Sequence, residues 1–161
     1  MPNTVECKSC TLKSEGKLNV IGTDVLVLSN TRFVNTSYTP KMWRGIWDTG
    51  ASGSCINQRI VDDLKLIPVG RKQISTAGGL KETNTYLVDI GLPNNVIVRN
   101  ILVSCADLGE NLDVLIGMDI ISLGDFAITN FSGRTTFSFR LPSVASIDFC
   151  KTDNPYTQFV R

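Results

Sequence analysis

The feature that most constrains the fold is a two-strand pattern in the middle of the chain. Apolar side chains recur at every second position from Tyr86 to Leu92, a turn sequence follows at 93–95, and a stretch rich in valine and isoleucine runs over 96–103. Alternation with a period of two places one set of side chains on a single face of a strand, and Pro-Asn-Asn favours a reversal of the chain. The pattern predicts a β-hairpin.

Most of the remaining chain also predicts strands separated by turns. The segments rich in β-forming residues lie at 19–29, 42–47, 114–116, 126–129 and 135–139. Helical spacing from Ile56 predicts a helix of about two to three turns, with Ser54 or Asn57 as its N-cap. A second short helix is predicted to be capped by Asp119 and ended by Gly124. These elements predict a mostly β, closed, Greek-key-like domain with two short helices, and they disfavour a doubly wound nucleotide fold.

Composition removes several classes of function. The chain has 161 residues, of which 42% are hydrophobic, and this is enough for one well-packed domain. It contains no histidine, which excludes histidine-dependent triads, histidine general bases and histidine metal ligands. Lysine and arginine total 16 against 15 acidic residues, so no basic field favours nucleic acid or anionic lipid. Catalysis would have to use carboxylates, lysine or cysteine.

The cysteines and the N-terminus bear on the cellular compartment. Five cysteines at irregular spacing suit reduced thiols better than a disulfide framework. No signal-peptide pattern opens the chain, and no apolar run reaches the roughly 18 residues of a membrane span. We therefore expect a soluble cytoplasmic protein. Cys7 and Cys10 form a Cys-x-x-Cys pair, for which free thiols are favoured and a zinc site shared between two subunits, or a redox pair, is the alternative. Cys55 is predicted to be a small buried apolar residue rather than a nucleophile.

The segment that is most informative about chemistry runs from Trp47 to Ser52 and reads Trp-Asp-Thr-Gly-Ala-Ser. It places the Asp48 carboxylate at the end of an apolar strand. Gly50 can bring its backbone N–H against this carboxylate, and Ser52 can donate a hydroxyl hydrogen bond to its outer oxygen. Thr49 can point away and brace the loop. Asp-Thr-Gly also occurs in ordinary turns, so the tripeptide alone leaves both interpretations open.

The segment resembles the active-site loop of retropepsin-like aspartic proteases, and other segments match that family in the same order. A glycine-rich hairpin tip at 76–79 falls where the family has its flap, and 113–119 resembles its apolar-apolar-Gly motif before the C-terminal helix. The resemblance covers roughly 19–140 and is closest to bacterial or phage-borne members. Many viral members carry arginine after the motif glycine, whereas this chain has Met118, so the salt bridge made by that arginine should be missing.

The resemblance implies an acid-protease barrel that forms one subunit of a two-fold homodimer. Only one Asp-Thr-Gly is present, whereas the mechanism needs two facing aspartates, one charged and one protonated. Two copies of Asp48 would supply this pair, and it would titrate as a unit. Water held between the two carboxylates would attack the peptide carbonyl of an extended peptide or protein substrate. No metal or organic cofactor is required.

The resemblance also implies the roles of the neighbouring residues and the limits of the domain. The active-site loop is supported by Thr49, Gly50, Ala51 and Ser52, and the flap that contacts substrate comprises Thr76, Ala77, Gly78 and Gly79. An N-terminal extension at 1–18 precedes the protease domain at 19–141, and a C-terminal tail follows at 142–161. Five further aspartates have no comparable setting and are predicted to be surface or capping residues, namely Asp62, Asp63, Asp107, Asp113 and Asp125, and Asp119 is predicted to be a helix cap.

The alternative function is a catalytically weak dimerisation or binding module with the same fold. The polar segments at both ends of the chain, together with Trp43 and Trp47 near the loop, motivate it. The intact sequence from Asp48 to Ser52 favours the aspartic endopeptidase.

Overall fold

The computed structural model describes residues 6–30, 40–76 and 79–150 of the chain, with Thr76 described by its backbone alone. These residues form ten strands, two short α-helices and one 3-10 turn. The strands are β1 (Lys8–Lys13), β2 (Gly22–Ser29), β3 (Met42–Trp47), β4 (Cys55–Ile56), β5 (Gly70–Thr76), β6 (Gly79–Gly91), β7 (Ile97–Cys105), β8 (Val114–Ile116), β9 (Asp125–Thr129) and β10 (Thr136–Leu141). The helices are α1 (Gln58–Asp63) and α2 (Met118–Ile121), and the 3-10 turn is Phe131–Gly133. The mostly β architecture with two short helices that the sequence predicts is confirmed.

Most strands belong to one sheet of order β2-β3-β8-β4-β7-β6-β5, in which β2 also pairs with β6. The predicted hairpin is present as β6 and β7, which pair antiparallel with a register shift between Val88 and Ile90. Two pairings are parallel, β3 with β8 and β4 with β7. The parallel pair β3–β8 matters for the site, because it fixes where the loop after β3 lies relative to α2, which follows β8.

A smaller sheet has the order β1-β10-β9. It includes β1, which lies in the segment that we interpreted as an N-terminal extension and pairs antiparallel with β10 from Lys8↔Leu141 to Lys13↔Thr136. The aromatic side chains of this sheet pack against the end of β3. The Trp47 ring lies 5.1 Å from the Phe137 ring and 4.8 Å from the Phe139 ring, measured between centroids. The smaller sheet therefore supports the strand that carries the Asp48 loop.

The two helices differ from expectation in one detail each. Asn57 is the N-cap of α1, and its side-chain oxygen accepts a hydrogen bond from the Ile60 N–H at 3.2 Å. The helix is shorter than predicted because Ile56 belongs to β4. The prediction that Asp119 caps α2 is wrong: the N-cap is Gly117, and Asp119 lies in the first turn with its carboxylate bound to Ser54. Asp119 Oδ1 also accepts a hydrogen bond from the adjacent Ile120 N–H at 3.0 Å, but it does so from inside the first turn and not from the N-cap position.

Two other aspartates are not the simple surface or capping residues that the sequence predicted. Asp113 is buried, and it accepts hydrogen bonds from Arg59 at 2.6 Å, from the Asn57 amide at 2.9 Å and from the Arg44 N–H at 3.0 Å. A buried carboxylate requires this kind of compensation. Asp125 holds the first residues after Pro142, a segment (143–145) that we call the tail anchor.

Asp125 accepts hydrogen bonds from every residue of the tail anchor. The donors are the Ser143 hydroxyl at 2.5 Å, the Val144 N–H at 3.0 Å and the Ala145 N–H at 3.2 Å. Arg140 adds an ion pair at 2.7 Å. The Ser143 hydroxyl, followed by the Val144 N–H and Arg140, holds the pKa of Asp125 far below its usual range. The beginning of the C-terminal tail is therefore fastened to the folded domain.

Candidate active site

Asp48 follows β3 directly and is fixed at both its backbone and its side chain. Its N–H donates to the Ile116 carbonyl at 2.9 Å, which continues the parallel pairing of β3 with β8. Its carboxylate Oδ1 accepts a hydrogen bond from the Gly50 N–H at 2.8 Å. A Cβ at position 50 would lie 3.1 Å from the same oxygen, so glycine permits this close approach. The carboxylate is half-buried and already held in one orientation within a single chain.

Two side chains of the loop face solvent in the single chain. Thr49 and Ser52 are both exposed. Within the described residues, no hydrogen bond joins the Ser52 hydroxyl to Asp48, so the contact expected from the sequence is not made here. The position of Thr49 is compatible with its predicted bracing role, which stays a prediction.

The far end of the loop is fastened to the β8–α2 junction through Ser54. The Ser54 hydroxyl donates to Asp119 Oδ1 at 2.7 Å and accepts from the Gly117 N–H at 3.0 Å. The Ser54 N–H donates to Asp119 Oδ2 at 2.9 Å. A further bond runs from the Met118 N–H to the Ala51 carbonyl at 2.8 Å. We call these four bonds the Ser54 clamp.

Close backbone contact accompanies the Ser54 clamp. A Cβ added at Gly117 would lie 2.6 Å from the Gly53 carbonyl carbon and 2.7 Å from its oxygen. Both atoms belong to the backbone, so neither can move aside as a flexible side chain would. The glycine of the apolar-apolar-Gly motif is therefore needed for the approach of two loops, and the sequence could indicate the motif but not this contact.

Asp48 lies at the edge of a cleft of about 510 Å³. The active-site loop forms one wall, and the flap arm β5 forms another with Lys72, Gln73, Ile74 and Ser75. Other lining residues come from β7, β8 and the loop between them, namely Leu102, Ser104, Ala106, Asp107, Leu108 and Leu115. The cleft is apolar along much of its length and carries charged groups at Lys72 and Asp107. Its dimensions and lining are compatible with an extended peptide.

Cys55 also lines this cleft and is half-buried. Burial raises the pKa of its thiol, and the nearby Asp119 carboxylate raises it further. A thiol with a raised pKa is a poor nucleophile near neutral pH, which agrees with the prediction that Cys55 is not catalytic.

The β5–β6 hairpin is the predicted flap. Its strands pair antiparallel from Gly70↔Thr85 to Thr76↔Gly79. Gly79 adopts φ +103°, a conformation that favours glycine. Ala77 and Gly78, which were assigned to the tip, lie outside the described residues. Leu80 is 77% exposed next to the tip.

The other candidate chemistry concerns Cys7 and Cys10. Cys7 is exposed and Cys10 is half-buried, and no group of three or more His, Cys, Asp or Glu side chains within residues 6–30, 40–76 and 79–150 could hold a metal ion. In the same residues, no helix is long and apolar enough to cross a membrane.

The sequence profile described as "gag-polyprotein putative aspartyl protease" matches residues 41–122, which include Asp48, Ser54 and Asp119. The chain belongs to this family of retropepsin-like aspartic proteases. No curated protein sequence matches the chain.

Three solved structures are similar to the chain at low sequence identity. A retropepsin-like aspartic protease from Rickettsia conorii superimposes with a TM-score of 0.50 and 13% identity, over 84% of this chain and 95% of that one. The EIAV protease in complex with the inhibitor HBY-793 has a TM-score of 0.46 and 22% identity, over 65% of this chain and 86% of that one. The retroviral protease-like domain of Ddi1 from Leishmania major has a TM-score of 0.41 and 14% identity, over 75% of this chain and 95% of that one. The first of these supports a retropepsin-like fold for the chain.

Proposed function

We propose that the protein is an aspartic endopeptidase that works as a homodimer, with Asp48 of each subunit supplying half of the catalytic pair. The observation that carries the proposal is the Asp48 carboxylate itself: it is oriented by the Gly50 N–H at 2.8 Å, lies in the cleft beside the flap arm, and belongs to the one Asp-Thr-Gly of the chain. Each subunit is in this proposal a closed Greek-key-like barrel of the bacterial or phage-borne branch, located in the cytoplasm.

The chemistry follows from placing two like charges together. Two carboxylates at about 3 Å cannot both ionise, so the active pair holds one proton in common. The charged carboxylate takes a proton from a water as its oxygen attacks the peptide carbonyl carbon, and the protonated one donates to the carbonyl oxygen. Proton transfer to the leaving nitrogen then breaks the C–N bond. The flap adds strand-like hydrogen bonds to an extended substrate, and its closure excludes water.

The decisive variant is Asp48→Asn, because an amide keeps the shape of the side chain but cannot share the proton. Cleavage should fall by several orders of magnitude, while the sedimentation mass stays that of a dimer. Asp107→Asn is the matched control, since it removes a carboxylate from the same cleft but outside the pair. The parent should show a bell-shaped pH dependence of kcat/KM that reports the pair rather than either residue. Cleavage by Asp48→Asn at the parental rate would refute the mechanism.

The alternative is a catalytically weak dimerisation or binding module, and one observation favours it. Three apolar side chains of the tail are well exposed, at Val144, Ile147 and Phe149. Exposed apolar groups on a fastened segment suit a binding surface. This function would be supported by a purified dimer that binds one partner protein but cuts no peptide of a diverse library. The library is tested between about pH 4 and pH 7, where an aspartate pair is active.

A further inference from the structure

The cleft beside Asp48 is lined by one cationic side chain, Lys72 of the flap arm β5. Lys72 pairs with Thr83 of β6, and residues directly opposite in an antiparallel pair have their side chains on the same face. The Thr83 hydroxyl donates to the Cys105 carbonyl at 2.6 Å, so this face of the flap is turned towards the body of the domain. Arg71, the neighbouring residue of β5, points to the opposite face. Lys72 is therefore the residue that brings positive charge over the cleft.

The charge of Lys72 is not neutralised within the single chain. Lys72 is exposed, and it forms no ion pair with any residue in the part of the chain that the structure describes. Arg71, by contrast, pairs with Glu82 at 3.8 Å. Burial raises the pKa of the Cys55 thiol and the Asp119 carboxylate raises it further, whereas the Lys72 charge acts in the opposite direction. The Lys72 charge therefore acts across the cleft, on β4.

A second hydrogen-bond donor lies beside Cys55 in the same cleft. Ser104 of β7 is the register partner of Cys55, and both residues line the cleft. Ser104 is only 6% exposed, yet its hydroxyl makes no hydrogen bond with another described residue. Buried polar groups normally have a partner, so a hydroxyl of this kind beside a cleft suits a ligand. Together, an ammonium group and a hydroxyl suit a carboxylate.

The remaining charged group of the cleft, apart from Asp48, is Asp107. Its Oδ1 accepts a hydrogen bond from the Gly109 N–H at 3.0 Å, so the carboxylate is engaged within its own loop. The negative charge of Asp107 is thus partly compensated, whereas the positive charge of Lys72 has no partner. This difference favours a negative side chain of the substrate over a positive one.

We propose that Lys72 and Ser104 form a subsite for an acidic side chain, which makes the protein selective for peptides that carry glutamate or aspartate near the cleaved bond. The proposal rests on the proposed function and names the substrate class of that site. Lys72 pairs with the carboxylate when the flap closes, and the Ser104 hydroxyl donates to one of its oxygens. Since a homodimer is symmetric, each flap supplies one Lys72, and an acidic side chain is favoured on either side of the cleaved bond.

Peptide cleavage at about pH 6, where glutamate is ionised and lysine is protonated, tests the subsite. A random peptide library is first digested with the full-length protein, and mass spectrometry of the products identifies a well-cleaved peptide. That peptide is resynthesised with Glu, Gln, Leu or Lys at each position in turn, and kcat/KM is measured for each. Lys72→Gln removes the charge and Lys72→Glu inverts it. Arg71→Gln is the matched control, because it removes one positive charge from the other face of the same strand.

At low ionic strength, we expect the parent to prefer Glu to Gln by about fivefold or more at one position at least. Lys72→Gln should abolish this preference, and Lys72→Glu should replace it with a preference for Lys. Arg71→Gln should keep the parental preference. Ser104→Ala should instead slow the cleavage of the Glu and Gln peptides alike, relative to the Leu peptide, because both side chains can accept from the hydroxyl.

A parent without a preference for Glu at any position would overturn the subsite while leaving the aspartic endopeptidase in place. A preference that Lys72→Gln leaves intact, or that Arg71→Gln removes equally, would also overturn it. A preference for Lys that Asp107→Asn abolishes would overturn it in favour of a basic substrate. A parent that cuts no peptide of the library would refute the proposed function, and the subsite with it.

Discussion

Removal of the Ser54 hydroxyl tests how the Asp48 loop is held. Ser54 is 2% exposed, and its hydroxyl both donates to Asp119 and accepts from the Gly117 N–H. Ser54→Ala loses a hydrogen bond to a charged group, worth about 1.5–3 kcal/mol, and leaves the buried Gly117 N–H without a partner, at a cost of about 1–3 kcal/mol. Because part of this is recovered by relaxation, we expect the free energy of unfolding to fall by about 2–4 kcal/mol.

The same contacts predict the effect of a second single variant and of the double variant. Asp119→Asn presents an NH2 group to one of the two Ser54 donors, the backbone N–H or the hydroxyl, so one hydrogen bond is lost. We expect the free energy of unfolding to fall by about 1.5–3 kcal/mol. Since both variants break the Ser54 clamp, the double variant should cost less than the sum of the single ones. Ser9→Ala, at an exposed position of β1, is the control and should change stability by less than about 0.5 kcal/mol.

Urea unfolding followed by tryptophan fluorescence measures these changes, because both tryptophans are buried. All variants must be compared at one protein concentration, since the stability of a dimer depends on it. We also expect kcat to fall about 10-fold or more in Ser54→Ala while the sedimentation mass is unchanged, because small displacements of a catalytic group are costly. Single variants within about 0.5 kcal/mol of the parent, or strictly additive effects, would refute the clamp.

Two further predictions follow from contacts beside the loop and at the tail. Gly117→Ala brings a Cβ to 2.6 Å from the Gly53 carbonyl carbon, so it should lower the free energy of unfolding by about 1–3 kcal/mol or more and reduce cleavage. Thermal unfolding and a peptide-cleavage assay measure these two effects. A variant as stable and as active as the parent would contradict the prediction. Asp125→Ala should accelerate amide hydrogen exchange in the tail anchor, and unchanged exchange would contradict its role. The hydrogen bonds of the tail anchor lower the pKa of Asp125. The contribution of Asp125 to holding the tail anchor is therefore complete at any pH above the usual aspartate pKa of about 4, and it is lost only when the pH falls well below that value. The protection of the tail-anchor amides against hydrogen exchange, corrected for the intrinsic exchange rate at each pH, should thus be equal at pH 7 and about pH 5.

The parts of the fold that the sequence predicts are those encoded by short-range patterns. Alternation from Tyr86 to Leu92 and the turn after it are local, and β6 and β7 follow them closely. Met42–Trp47 is likewise a strand with the predicted bounds. The Asp48 loop was identified because its residue types are contiguous, so the motif and its geometry share one short segment.

The contacts that the sequence did not predict join distant segments. Ser54 and Asp119 are 65 residues apart, and neither has a local feature that names the other as its partner. The burial of Asp113 depends on Arg59 and Asn57 from α1, which only the folded chain brings to it. The pairing of β1 with β10 is similarly long-range, and the polar sequence of β1 gave no alternation strong enough to predict it.

The Ser54 clamp joins the loop at 48–54 to α2 without an arginine after the motif glycine. Met118 cannot form a salt bridge, and within the described residues no ion pair joins the loop at 48–54 to α2. The Asp119 carboxylate holds the loop instead, through two hydrogen bonds to Ser54, and charge-assisted bonds of this kind are about twice as strong as neutral ones. The Gly50 N–H orients Asp48 from within the loop. One chain thus positions a single carboxylate without help, and in the proposed homodimer the second subunit has only to bring an identical carboxylate opposite it.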